Sequence, residues 1–315
     1  MATYQTYTAI GQREDLSDVI YNISPTDTPF MSSVGKTKAT AVYHEWQTDS
    51  LAAAALNSAV EGATASDATM SPTSRVGNRT QIAQKTIKIS GTLQAVDKAG
   101  RKSEKAYQLA KASAEIKRDM ELTVLSNQTA SNGNSSTART LGGLQAWLST
   151  SYSGGTSGVA GSGGTTARTN GTNRTFTEAM LQAVVKSVYT AGGNAKVLMV
   201  TPTHKQTVSS FAGIAAQRYM APANAPTTIV GAADVYLSDF GTLSVVPNRF
   251  MNSTNSADDV AFVLDPDMAA IAYLRPFQTN ELAVTGDNES TQLLAEYTLE
   301  VKNEAAHGII ADVTP

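Results

Sequence analysis

The stretch from Arg13 to Gln47 constrains the fold most. It reads as a short helix, a proline-punctuated segment and a strand, with no core of its own. Leu16, Val19 and Ile20 share one face of a helix over 12–22, with Glu14, Asp15 and Asp18 elsewhere. Ser24-Pro25 stops that helix, because the residue before proline avoids the α region, and Pro29 keeps the next stretch extended. A segment apolar at intervals yet unable to close on itself is built to lie on another surface. It predicts assembly before chemistry.

Two strands follow at a distance. One covers 40–47, where Val42, His44 and Trp46 alternate with Tyr43, Glu45 and Gln47. The other covers 81–90, where Ile87 and Ile89 alternate with Thr86, Lys88 and Ser90. The residues between them are mostly Ala, Ser, Thr, Gly and Asn. A loop of that length in a compact domain is usually functional or disordered. The simplest geometry is a long hairpin whose tip leaves the body. A helix from Ser103 to Ser126 comes next, with Leu109, Ala112, Ile116, Met120 and Val124 along one narrow stripe. Such a stripe predicts a spine lying across a sheet.

Residues 127–174 turn to Ser, Thr, Asn and Gly, interrupted by an apolar island from Leu141 to Leu148, and read as a surface excursion or linker. A mixed α/β unit then begins. Thr175-Phe-Thr-Glu178 has the form of a capping box, and Leu181, Val184, Val185 and Val188 share a helix face that ends at Gly192-Gly193. Val197–Val200 reads as a buried strand, Thr203–Phe211 as a helix, and 227–237 and 242–247 as strands joined by a turn at Asp239-Phe240-Gly241. The remainder is strand-rich. Residues 260–264 and 268–274 are apolar runs on either side of Asp265-Pro266-Asp267. Alternation over 293–302 predicts a half-buried strand, and His307–Ile310 closes the pattern.

Composition narrows the function classes. Charged residues are only 16% of the 315 residues, against 41% hydrophobic, and Ser, Thr, Ala and Gly fill the difference. Such a surface suits broad protein contacts. The formal charge of −3 provides no basic field for gripping nucleic acid by counterion release. Lys98, Arg101, Lys102, Lys105, Lys111, Lys117 and Arg118 read as a solvated helix face. The absence of Cys excludes disulfides, thiolate metal sites and Cys nucleophiles. Neither a secretory signal nor an apolar run of membrane-spanning length is visible.

Fragments of catalytic motifs fail on inspection. Gly35-Lys36-Thr37 resembles the end of a phosphate loop, but Phe30 stands where its earlier glycine belongs. Asp239-Phe240-Gly241 has no kinase catalytic loop beside it, and Gly155-Thr-Ser157-Gly-Val159 lacks the last glycine of a nucleophile elbow. His44, His204 and His307 lie at no metal-ligand spacing and read as structural. Asp258, Asp259, Asp265 and Asp267 read as an acidic turn before a cation site. No catalytic, cofactor-binding or metal-binding residue is expected, and an enzyme would need a constellation of nucleophile, base and oxyanion site that is not seen.

The order of arm, long hairpin, spine helix, α/β unit and strand-rich return resembles the major capsid proteins of tailed bacteriophages. Encapsulins and the floor of herpesvirus capsids share that fold. The resemblance rests on Arg13-Glu-Asp-Leu16-Ser-Asp-Val-Ile20, on Ser24-Pro25-Thr-Asp-Thr-Pro29-Phe30, on His44-Glu45-Trp46-Gln47 and on Asn303-Glu304-Ala-Ala-His307-Gly308-Ile309. It implies an α+β subunit divided into an N-terminal arm (1–39), an extended loop (40–90), a peripheral domain (91–127 and 253–315), a Gly/Ser/Thr-rich excursion (128–174) and an axial domain (175–252). Leu16, Ile20, Pro25, Pro29, Phe30, Tyr43, His44 and Trp46 would then contact neighbouring subunits.

The function implied is self-assembly as hexamers and pentamers into an icosahedral head around double-stranded DNA. The shell would form in the host cytoplasm and become part of the virion. Partners implied are the chain itself, a portal protein, a separate scaffolding protein, packaged DNA touched non-specifically and a cement protein, with no membrane. The separate scaffold follows from the lack of a long helical N-terminal extension. Some capsids of this fold lock themselves by a Lys–Asn isopeptide bond from the extended loop. No Lys lies between Lys38 and Lys85, so no such lock is expected. Rival readings are an encapsulin-like compartment and a tail or decoration protein.

Overall fold

The computed structural model describes residues 24–62, 64, 67–68, 70–97, 100, 102–211, 234–251 and 259–314. The helix expected over 12–22, with Leu16 and Ile20, lies outside the described residues, as do 227–233 and Asp258.

One sheet carries the spine. Its strand order is Gly35–Lys38, Ala269–Glu281, Asn288–Val301, Gln81–Ser90. The first pair is parallel and the other two are antiparallel. The spine helix, Glu104–Val124, packs against Gln81–Ser90 and Asn288–Val301. Ser103 caps it by accepting from the Ala106 N–H, and the predicted stripe delivers Ala112, Ile116, Met120 and Val124 to the core. Tyr297, fully buried, faces the helix, and burial drives its phenol pKa upward.

A six-stranded sheet has the order Ser151–Ser153, Gly308–Ile310, Ala261–Leu264, Val197–Val200, Gly241–Pro247, Val235–Ser238. Helices Glu178–Thr190 and Pro202–Ser209 accompany it. Leu181, Val184 and Val188 pack with Leu198, Val245 and Ile310 in a second apolar cluster. Ala261–Leu264 and Gly308–Ile310, expected in the peripheral domain, thus hydrogen-bond into the sheet of the α/β unit.

Four further expectations change. Pro29 does not keep the chain extended; it occupies the first position of a short helix, Pro29–Ser33. Proline is tolerated there because that N–H has no helical partner anyway. The hairpin pairs Tyr43–Thr48 with Ser74–Arg79, a strand the sequence did not suggest, and Gln81–Ser90 belongs to the spine sheet instead. Residues 128–174 are no mere excursion, since Leu141, Leu144, Trp147 and Leu148 sit in the main core beside Met120 and Phe262. Finally, the helix after Phe176 starts at Glu178 with Thr177 as N-cap and no side-chain cap. Glu178 therefore cannot reach back as a capping box requires, and instead accepts from the Tyr236 hydroxyl at 2.9 Å.

Candidate assembly surfaces

The hairpin has a clamped root and a free tip. Its root lies on the face of Asn288–Val301 away from the spine helix. Alternation predicts that face to be wet, yet Glu296, Thr298 and Glu300 are buried. The root covers them. Thr80 donates to Glu296 at 2.9 Å, and Arg139 and Arg275 pair with the same carboxylate. Glu300 accepts from the Thr37 hydroxyl at 2.8 Å and meets His44 Nε2 at 3.0 Å. Asn78 donates to the Leu299 and Gly142 carbonyls and accepts from the Gly142 N–H. These charge-assisted and buried bonds are the strong kind. Gly77 permits close pairing, because a Cβ there would sit 2.7 Å from the His44 carbonyl oxygen.

Beyond the root, residues 49–73 form no regular element among those described. Leu51, Leu56, Val60 and Met70 are each at least 81% exposed. Isolated exposed apolar residues are ordinary, and these four are gathered on one loop outside the two cores. A second exposed apolar group, Tyr189, Val235, Leu237 and Phe240, rims the six-stranded sheet, with the Tyr189 and Phe240 rings 4.9 Å apart.

The entry helix Pro29–Ser33 is held from within. Glu121 on the spine helix accepts from the N–H of Phe30 at 2.7 Å, the N–H of Met31 at 2.9 Å and Asn248 Nδ2 at 2.7 Å. Burial raises the carboxyl's pKa, against the pull of those three donors. Phe30 itself is fully buried in the main core.

The residues expected at subunit contacts therefore sort into two groups. Phe30 faces its own core, Trp46 stacks on Trp147 with ring centroids 5.4 Å apart, and His44 faces Glu300. These side chains hold the arm and the hairpin to their own subunit. Tyr43 is exposed under the Arg79 guanidinium, and Pro25 and Pro29 are half-buried. The exposed loop residues Leu51, Leu56, Val60 and Met70 are not singled out by the sequence reading. Their signal was present as lone large apolar residues in a run of small ones.

The remaining polar clusters are internal. Arg168, fully buried, reaches Asp312 at 2.7 Å, Asp259 at 3.3 Å and Gln145 at 3.2 Å. Lys196 pairs with Asp265 and Asp267, so three of the acids weighed as cation ligands meet cationic side chains. His307 accepts from the Asp265 N–H through Nδ1, which leaves Nε2–H to donate to the Met268 carbonyl. Among the described residues no group of His, Cys, Asp and Glu could hold a metal ion, and no helix is long and apolar enough to cross a membrane.

A spine helix on a long sheet, an α/β unit and a protruding hairpin define a shell-building subunit. Solved structures share this fold. The capsid asymmetric unit of cyanophage A-1(L) aligns with a TM-score of 0.71 at 13% identity, covering 96% of this chain and 98% of that one. Gordonia phage Cozz aligns at 0.64 and 11% identity, covering 99% of each chain. The SrpI encapsulin complex of Synechococcus elongatus PCC 7942 aligns at 0.56 and 10% identity, covering 99% of this chain and 96% of that one.

The family model for the SU10 major capsid protein matches residues 2–314, and the chain belongs to that family. The major capsid protein of Escherichia phage Phieco32 is 28% identical over 354 residues, spanning 98% of this chain and 96% of that protein. The chain is accordingly a structural component of the virion, a major capsid protein that assembles with copies of itself.

Proposed function

We propose that the chain closes an icosahedral head around double-stranded DNA as hexamers and pentamers, each subunit reaching across to the next with the loop 49–73. The observation that carries this reading is the contrast within one hairpin. Its root is fixed by the bonds of Thr80 to Glu296 and of His44 to Glu300, while its tip shows Leu51, Leu56, Val60 and Met70 to solvent. A rigid root aims the tip, and an aimed apolar tip gains its burial only on another molecule. Burying one such side chain contributes about 1.5–3 kcal/mol, repeated at every subunit of a shell.

Leu16, Ile20, Pro25, Pro29 and Tyr43 belong to the same proposed contact surface. So does the rim of Val235 and Leu237, at the centre of each ring. The near-neutral charge supports loose, non-specific contact with packaged DNA. A portal protein at one vertex, a separate scaffolding protein and a cement protein complete the proposed partners.

Replacing residues 51–70 by a short Gly-Ser linker tests the reading. The subunit should keep its unfolding midpoint and fail to form shells. Shells of normal yield and stability from that variant would refute it.

A further inference from the structure

The sequence holds two Asn–Gly steps, Asn132-Gly133 and Asn170-Gly171, and both fall within residues 128–174. Both asparagines are exposed, and neither side chain hydrogen-bonds to another described residue. The backbone nitrogens that follow them are lightly held. The Gly133 N–H reaches the Ser131 hydroxyl at 3.3 Å, and the Gly171 N–H meets no acceptor among the described residues. Glycine carries no Cβ to shield its own nitrogen.

Nearby asparagines are restrained. Asn127 donates to the Arg168 carbonyl and accepts from the Arg168 N–H, each at 2.7 Å. Asn134 accepts from the N–H groups of Ser136 and Thr137. Asn173 is exposed, but the nitrogen after it, that of Arg174, donates to the Asp312 carbonyl at 2.8 Å.

We infer that Asn132 and Asn170 are sites of spontaneous deamidation. In each, the glycine nitrogen gives its proton to solvent and attacks the asparagine Cγ. A C–N bond forms there, the Cγ–Nδ2 bond breaks, and ammonia leaves with a proton taken from solvent. Water then opens the five-membered imide at either carbonyl, giving aspartate or its β-linked isomer. Water is the only reagent consumed. Each event turns a neutral amide into a carboxylate that is ionised at neutral pH. A chain whose formal charge is only −3 is altered appreciably by two such events. Repeated over the copies of a shell, the conversion makes the assembly more negative with age and needs no enzyme.

Incubating the full-length chain in warm, mildly alkaline buffer tests this. Peptide mass mapping should find the mass gain of an amide-to-acid exchange at Asn132 and Asn170 about tenfold faster than at Asn173. Isoelectric focusing should show successive acidic bands over the same period. Asn132→Gln with Asn170→Gln should abolish those bands and leave the urea midpoint in place, since both side chains are exposed and unbonded. An unchanged focusing pattern in the parent chain would overturn the inference, as would conversion at either site no faster than at Asn173. Acidic bands that persist in the double variant would overturn it too, by placing the modification elsewhere.

Unfolding separates structure from sequence. In guanidinium the Arg174 N–H is freed, so Asn173 should convert faster and the gap should narrow. A gap equally wide in the unfolded chain would contradict the protection assigned to that hydrogen bond.

Discussion

Glu121 shows how one buried carboxylate decides a junction. It caps the entry helix from outside by accepting from two backbone N–H groups, and it takes a third bond from Asn248. Glu121→Gln would turn an amide N–H₂ toward one of those donors. Each buried donor left without an acceptor costs about 1–3 kcal/mol, so the variant should lose that much in urea unfolding of the subunit. Arg168→Ala should cost more, about 3–5 kcal/mol, because it strands the fully buried Asp312 carboxylate.

His307 adds a pH dependence with a definite sign. Burial holds its folded pKa below the ordinary 6.5, and the Met268 carbonyl, Asp265 and Glu304 offset this only in part. The unfolded chain therefore takes up the proton first as pH falls, and the native state loses stability below about pH 6.5. Glu121 acts oppositely at lower pH. Its folded pKa lies above 4.5, so acid favours the native state between that value and the folded pKa. Unfolding midpoints at pH 7.5 and 5.5 should differ less for His307→Gln than for the parent chain. Equal differences would remove His307 from the account.

At the scale of elements, the entry helix sets where the arm can be cut. The sequence suggests that removing residues 1–35 leaves a folded subunit that assembles poorly. The structure changes that expectation, because the cut would take Phe30, Met31 and Val34 out of the main core. Losing a buried Phe alone costs about 3–5 kcal/mol. Truncation before Lys36 should lower the unfolding free energy by at least about 3 kcal/mol, measured by urea unfolding of the subunit.

What was legible in the sequence followed periodicity. The stripe from Ala112 to Val124 announced the spine helix, and Ser103 its start. The alternation at 293–302 announced the long strand but misjudged its polar face. Period-2 patterning says which residues share a side, not what covers it. The cover comes from Thr80, Asn78 and His44, all more than 200 residues away in sequence. The same limit hid the strand Ser74–Arg79, whose residues carry little strand propensity and are held by pairing with Tyr43–Thr48. Glycine-rich composition likewise hid the core role of residues 141–148, where glycine permits close backbone approach: a Cβ on Gly143 would sit 2.2 Å from the Ser126 carbonyl oxygen.

For the molecule as a whole, assembly was legible before any site was. Low charge, a protruding small-residue loop and the lack of a catalytic constellation all point the same way, and the family match agrees. The side chains that hold the arm and hairpin to their own subunit were less legible. Phe30, His44 and Trp46 drew attention by their type, but they serve the subunit's own interior. Larger assemblies should dissociate to single chains on a boiled denaturing gel, since the loop has no Lys to form an isopeptide lock.

The central claim is that the hairpin leaves its own subunit to cover a neighbour. Cryo-electron microscopy of shells assembled from this chain measures that most directly. The account predicts rings of six and five subunits in which residues 49–73 of each copy lie across the next. Shells in which the loop folds back over its own spine sheet, with Leu51, Leu56, Val60 and Met70 touching no other copy, would contradict it.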